Sequence, residues 1–512
     1  MNKTDFNVIY LIFDYLDFLS KIKFRNIAKY MHKLKIYDFY NISYKYLRFL
    51  NDKILLNYPF ITYLNAASNP KIKYVNHMLN LKILDASYDC GITNKEITNL
   101  NLNKLIVSRN SKITNINHMD KLNELNASYY SGISDEGIKN LKNITKLNIS
   151  DNNKITNINH MEKLIELDAS CNSGITNSEI KYLKNIVKLN ISNNPKITNI
   201  NHMEKLVELD ASYNCGISNE GIKNLNNITK LNITKNNKIT NINHMNKLIE
   251  LNASHNCAIN DESIINLRNV IKLNVCNNKN ITNINHMENL VELDASGNCG
   301  ITDFGIKNLK NIVKLNVSSN PKVTNINHMN KLVELNASYD CGITNEGFIN
   351  LKNITKLDIS CNEKINNINH LHKLIELYAT DNCIISNEGI SNLKNIIKLN
   401  VYNNPKITNI NHMYKLTELD ISYKCGINDY GIKNLKNIIK LCAADNNKIT
   451  NVNHMKKLAE LDASLNCGLT NEGIKELNLQ ILYLNNNNKI KNVNNMNKFI
   501  ESNTSEFCSF CN

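Results

Sequence analysis

Tryptophan is missing altogether from these 512 residues, and only 5 prolines and 16 glycines are present. No apolar run approaches the roughly 18 residues that a spanning helix needs, which excludes a helical membrane protein. The opening residues, Met1-Asn2-Lys3-Thr4-Asp5, lead into a segment broken by Asp14 and Asp17, so no secretory signal peptide is expected. Phosphate-binding loops, dinucleotide fingerprints and nucleophile elbows are also lacking, and no pair of acids stands outside a repeating pattern. Enzymatic activity, cofactors and metals are therefore not expected. Charge of one sign is in small excess: 60 basic and 46 acidic residues give +14. Residues 1–60 hold 10 basic and 5 acidic side chains, about a third of that surplus. Such a balance does not by itself make a nucleic-acid binder. With 42% hydrophobic and 21% charged residues, a wholly disordered chain is excluded too.

What is present repeats. An Asn-His-Met segment returns with its histidine at His77, His118, His160, His202, His244, His286, His328, His412 and His454, and His370 keeps the register. The first interval is 41 residues and every later one is 42. Each 42-residue block holds two shorter units, whose anchor leucines (Leu125, Leu147, Leu167, Leu189, Leu209, Leu231) alternate 22 and 20 apart. The series runs from Leu64 to Leu482 and makes 21 units. One unit reads Ile144-x-x-Leu147-x-Ile149-x-x-Asn152-x-x-Ile155. Leu147 and Ile149 alternate onto one face of a short strand. The asparagine five residues after the anchor (Asn110, Asn152, Asn172, Asn194, Asn214) is placed to bond backbone in neighbouring copies, as a ladder. No unit can bury its apolar face alone, so the stack is the fold.

This pattern resembles the leucine-rich repeat over residues 61–495. The expected fold is α/β: a leucine-rich-repeat solenoid, a curved horseshoe with a parallel concave sheet and a convex side of 3₁₀ and α turns. A small N-terminal helical segment (1–40), a linker or cap (41–60) and a C-terminal tail or cap (496–512) complete the expected organisation. The shorter unit continues Ile113-x-x-Ile116-x-x-Met119-x-x-Leu122, which suits 3₁₀ turns. The longer one, with Ile175-Thr-Asn-Ser-Glu-Ile180, suits a capped α turn. Fifteen of the 16 glycines fall at two phases of the longer unit, and four of five prolines follow the asparagine of the shorter one.

Periodic placement decides most of the candidate chemistry. Ten of 13 histidines lie in one file, but neighbours two turns apart stand roughly 10 Å from each other, too far to share one zinc ion. Eight of 14 cysteines (Cys90, Cys215, Cys257, Cys299, Cys341, Cys383, Cys425, Cys467) form a second file with spacing too wide for disulfides. They read as buried thiols of a reducing compartment, so an intracellular, cytoplasmic location is expected. Sequons such as Asn126-Ala-Ser128, Asn148-Ile-Ser150 and Asn190-Ile-Ser192 fall on the crowded strand face, which also argues against secretion. Cys508-Ser-Phe-Cys511 has metal or redox spacing, or belongs to a plain tail. Before the anchor leucine, longer units carry Glu (Glu124, Glu166, Glu208) and shorter ones Lys (Lys146, Lys188, Lys230), an alternating and self-neutralising line. Four residues after the anchor the longer units vary, with Tyr88, Tyr129, Tyr213, Tyr339 and Tyr423 as candidate target-binding anchors, or as rings packed over one another. Lysines on the convex side (Lys139, Lys142, Lys181, Lys184) leave nucleic-acid binding as a lesser alternative.

The N-terminal text differs from the repeats. Ile12-Phe13-Asp14-Tyr15-Leu16, followed by Ile22, Phe24, Ile27 and Ala28 at helical spacing, resembles an F-box. The usual Leu-Pro opening is Thr4-Asp5 here, and the customary tryptophan is lacking, with Tyr30 or Met31 nearby. The other reading is a helical cap on the first repeat. The resemblance implies that Ile12, Phe13, Tyr15, Leu16, Ile22 and Phe24 dock the adaptor of a cullin–RING ubiquitin ligase while the solenoid holds a target protein. The competing reading is a free-standing interaction scaffold. Either way the chain is expected to be monomeric apart from its partners, and off the membrane. The excess of Asn, Ile, Lys and Tyr resembles that of AT-rich protists and the large DNA viruses infecting them, which would make the compartment a host cytoplasm.

Overall fold

In a computed structural model of the chain, residues 47–381 and 383–491 are described throughout; before them stand residues 9, 13, 16, 18–25, 27, 34, 36, 38 and 39. The chain divides into two compact units, Met1–Leu248 and Ile249–Asn512. In each, every turn contributes one very short strand, and successive strands pair in parallel. Among the described residues the first unit has ten strands, from Asp38–Phe39 (β1) through Tyr63–Asn65 (β2), Ile83–Asp85 (β3), Lys104–Ile106 (β4) and Glu124–Asn126 (β5) to Lys230–Asn232. The second has twelve, from Glu250–Asn252 to Ile481–Tyr483. Register keeps like beside like: Leu189 opposes Leu209 in the first unit, and Leu315 opposes Leu335 in the second. Each anchor leucine is nearly inaccessible, as are the Ala, Ile or Val two residues later, so alternation does bury one face.

The stack begins earlier than the repeat pattern does. Phe39 of β1 pairs with Leu64 and takes the place of an anchor leucine, inside the span read as N-terminal segment. A larger ring fills the same buried site, so the leucine pattern does not reveal this turn. The short helix Asp52–Leu55 then occupies the return path of that turn, capped by Asn51.

Return paths differ by unit type as the spacing predicts. In shorter turns, Met119 and Leu122 donate to the carbonyls of Ile116 and Met119 at 3.0 and 3.1 Å, successive three-residue turns. In longer turns a single helical turn forms, as at Asn177–Ile180, where Thr176 and Glu179 cap each other's backbone.

The asparagine ladder is narrower than the spacing suggests. In shorter turns the amide is buried and spans the stack: Asn152 donates to the Ala127 carbonyl at 2.7 Å and Asn194 to the Ala169 carbonyl at 2.8 Å. The same contact recurs in the second unit, where Asn320 donates to the Ala295 carbonyl at 2.8 Å. Asn172 and Asn214, at the matching position of longer turns, are exposed and lie outside the ladder. The longer turn runs one residue further before it dips inward, so the buried place falls to the sixth residue: Cys215, Cys257, Cys299, or Ser131 and Ser173. Lysine stems add a second bridge, with Lys154 Nζ 3.3 Å from the Ser131 carbonyl and Lys364 Nζ 2.9 Å from the Cys341 carbonyl.

Glycine is required here for space rather than for backbone sign. A Cβ on Gly221 would lie 2.2 Å from the Thr198 carbonyl oxygen of the preceding turn. Positive φ falls instead on the fourth residue after each anchor, and a glycine, Gly297, holds it in one turn.

Candidate functional site

On the sheet face the charged line is paired rather than evenly spaced. Each lysine reaches forward to the glutamate of the next turn: Lys104–Glu124 at 3.0 Å, Lys146–Glu166 at 3.2 Å and Lys188–Glu208 at 3.2 Å in the first unit. In the second unit Lys272–Glu292, Lys314–Glu334 and Lys356–Glu376 follow at 3.3, 3.0 and 3.5 Å. These half-exposed pairs are screened by solvent, contribute little to stability and leave the face close to neutral. Beside them runs a row of Asn and Asp side chains turned back onto their own backbone, such as Asp210, which accepts from the N–H and Oγ of Ser212. Asn126, Asn148 and Asn190 do the same, each accepting from the N–H of the serine two residues on.

The rim at the fourth residue is different. Tyr88, Tyr129, Tyr213, Tyr339 and Tyr423 all have left-handed backbone, with φ of 58°, 47°, 58°, 56° and 57°. For a non-glycine residue this conformation costs about 1–2 kcal/mol. The stack holds it there, because the Tyr88 and Tyr213 N–H groups donate to the Ser108 and Thr234 carbonyls of the next turn at 2.8 and 2.6 Å. The turn thereby throws each side chain outward: Tyr88, Tyr129, Tyr213 and Tyr339 are 49%, 42%, 50% and 57% exposed. Some rings do pack on neighbours. Tyr423 is half-buried, with its centroid 4.6 Å from that of Tyr402. It also lines an open polar cleft of about 520 Å³ with Lys424, Asp445, Lys448, Asn466 and Lys489. Lys235 Nζ sits 5.2 Å over the Tyr213 ring. Arg109, which the sequence reading passed over, lies between Tyr88 and Tyr129. Its place in the fourth-residue file of a shorter turn was the signal.

Both periodic files have internal partners. His160 Nε2 donates to the Ile138 carbonyl at 3.0 Å and His328 Nε2 to the Ile306 carbonyl at 3.0 Å, each joining one turn to the one before. Burial holds His286 and His412 below the ordinary imidazole range, favouring the neutral ring. Burial also pushes the file thiols up, Cys215 and Cys341 to about 11 and Cys425 to about 12, so they are poor nucleophiles and poor metal ligands. On the return side Lys139 pairs with Glu136 at 2.7 Å, and Lys181 Nζ lies 4.6 Å over the Tyr182 ring.

In the N-terminal segment, Phe13 is 1% exposed and its ring lies 6.0 Å from that of half-buried Phe24, in the helix Phe18–Arg25 (α1). Phe13 thus packs inward. Leu16 is half-buried and Ile27 is 68% exposed, which leaves apolar surface there. Ile12, Tyr15, the Ile22 side chain, Cys508 and Cys511 lie outside the described residues. Among the described residues no helix is long and apolar enough to cross a membrane.

No protein-family model matches the chain, and no curated protein matches it in sequence. Several solved structures do. The TLR13–ssRNA13 complex matches with a TM-score of 0.53 at 19% identity, over 85% of this chain and 72% of that one. A leucine-rich-repeat protein of Leptospira interrogans matches with 0.44 at 19%, over 75% and 95% of the two chains. An internalin (InlF) of Listeria monocytogenes matches with 0.40 at 23%, over 55% and 82%. The first of these agrees with the strand register and the buried ladder: the fold is a leucine-rich-repeat solenoid.

Proposed function

We propose that this chain is a protein-interaction module that holds a protein target along its aromatic rim. The observation that carries the reading is the outward placement, by a left-handed turn, of Tyr88, Tyr129 and Tyr213 in the first unit and of Tyr339 in the second. Large amphipathic rings at fixed positions are typical anchors for partners, and little ordering entropy opposes binding to them. Removing Tyr88, Tyr129 and Tyr213 together (each to alanine) should abolish capture of partners retained by the unaltered chain, with the thermal midpoint nearly unchanged. Retention of the same partners by the triple variant would refute the rim as the contact surface.

A finer form of the same reading takes the N-terminal segment as the dock for the adaptor of a cullin–RING ubiquitin ligase, with the chain as target receptor. Its support is the F-box resemblance of residues 12–16 together with the apolar surface at Leu16 and Ile27. The chain would then act through proximity alone, bringing target lysines close to a charged conjugating enzyme. Calorimetry of the full chain with the adaptor, and with a Leu16→Asp variant, tests it. No heat from the unaltered chain would leave the scaffold and remove the ligase.

A further inference from the structure

We propose that Arg109, stacked between Tyr88 and Tyr129, anchors a binding site for one carboxylate or phosphate group on a target polypeptide. The inference rests on the interaction-module reading and names the chemistry recognised at one point of the rim. Tyr88, Arg109 and Tyr129 are each the fourth residue after an anchor leucine (Leu84, Leu105, Leu125) of β3, β4 and β5. Parallel stacking brings them into one file, and the guanidinium carbon lies 5.7 Å from the Tyr88 ring centroid and 5.1 Å from that of Tyr129. Both distances fall within cation–π range.

Two features turn this stack into a site. Tyr88 and Tyr129 flank the guanidinium on two sides, and its planar fork of N–H donors remains at the exposed rim. Among the described residues no carboxylate or carbonyl accepts from that fork, whereas the lysines of the sheet face are claimed by their glutamates. A fork flanked by two rings has less rotamer freedom to lose on binding, and it matches two oxygens of a carboxylate or phosphate at once. A lysine in the same file, Lys235 over Tyr213, offers only a point charge against one ring.

The surroundings select against a long polyanion. Asp89 follows Tyr88 directly, Asp151 takes the fourth position of the turn beyond Tyr129, and Asp85 lies on β3. A phosphodiester backbone running along the file would pass these acids, whereas one acidic side chain needs contact with Arg109 alone. Tyr130, 76% exposed beside Tyr129, supplies apolar surface for the residues flanking such a side chain. The ligand is therefore a polypeptide carrying one Asp, Glu or phosphorylated residue at the contact.

The chain has four arginines, Arg25, Arg48, Arg109 and Arg268, so arginine Nε–H resonances of the full protein can be assigned by one Arg109→Lys variant. Titration with propionate, with phenyl phosphate and with a thymidine oligonucleotide separates the sources of charge. The Arg109 resonance should shift and saturate at concentrations at least about tenfold below any of the other three, for propionate, phenyl phosphate or both. A Tyr88→Leu, Tyr129→Leu variant should raise that half-saturation several-fold, since the fork is no longer held. A response no different from that of exposed arginine elsewhere overturns the site. A response to the oligonucleotide stronger than to phenyl phosphate overturns the polypeptide assignment in favour of nucleic acid. Because the deciding probes, propionate and phenyl phosphate, are small anions, failure here leaves the target-capture experiment above standing, and the reverse also holds.

Discussion

Replacing Asn194 by alanine should destabilise the first unit far more than the same change at Asn172, although both follow an anchor leucine by five residues. Asn194 is 0% exposed; its Nδ2 donates to the Ala169 carbonyl at 2.8 Å and its Oδ1 accepts from the Lys196 N–H at 3.0 Å. Alanine leaves both backbone groups unmet, one of them on fully buried Ala169. Each orphaned group costs about 1–3 kcal/mol, so roughly 2–6 kcal/mol is expected in all. Asn172 is exposed and its amide reaches only Asp151 Oδ1, at 3.3 Å, so its removal should stay within about 0.5 kcal/mol. Urea unfolding of the full chain by far-ultraviolet circular dichroism gives the midpoint shift. Amide exchange at Asp168–Ser170 and Asn190–Ser192 localises it, which matters because stacked repeats need not unfold in one step. Equal shifts for the two variants would refute a ladder carried by the shorter turns alone.

Two further outcomes follow from titrating groups. Burial raises the Asp420 carboxyl from 3.8 to about 6, against the lowering effect of its bonds from Ser422, with Asp462 adding to the rise and Cys442 alongside. A carboxyl raised in the folded state contributes stability that is full below about pH 4 and is lost as pH rises through about 6, on the order of 2–3 kcal/mol. Asp420→Asn keeps the oxygen that Ser422 bonds, so it should stabilise the second unit at about pH 8 and flatten that part of the pH profile; an unchanged profile refutes the account. For the thiols, alkylation of the native chain near pH 8 should reach half-buried Cys171, Cys276 and Cys361 before any file cysteine, whose thiols are raised to about 11 or 12. After unfolding without reductant all 14 should react, and several blocked cysteines would break the register.

The repeat period, the anchor leucines and the two kinds of return path were legible because each depends on local spacing. Asn172 was not, since matching letters at matching offsets hid a longer turn that moves the buried place one residue on. Phe39 escaped because a larger ring stands in a leucine's place and so falls outside the letter pattern. The left-handed rim position left a trace that could have been read: Asp151, Asn193, Asn277, Gly297, Asn403 and Asn486, residue types tolerant of that conformation, all share it. Arg109 lay in that file too, between Tyr88 and Tyr129: spacing names its neighbours, and only packing shows its guanidinium close to both rings. Phe13 shows the same limit at the N-terminus, where a motif letter names a residue type and only packing decides which way it faces.

The forward reach of each lysine sets the grain in which such a chain can change length. Lys146 needs the glutamate of the following turn, and each buried asparagine needs a longer turn behind it. Dropping one longer turn would set lysine beside lysine outside and amide beside amide inside. Dropping two, a block of 42 residues, returns every neighbour to its kind. Duplication or loss of 42-codon blocks therefore preserves the fold without compensating changes, and each event adds or removes two positions from the rim.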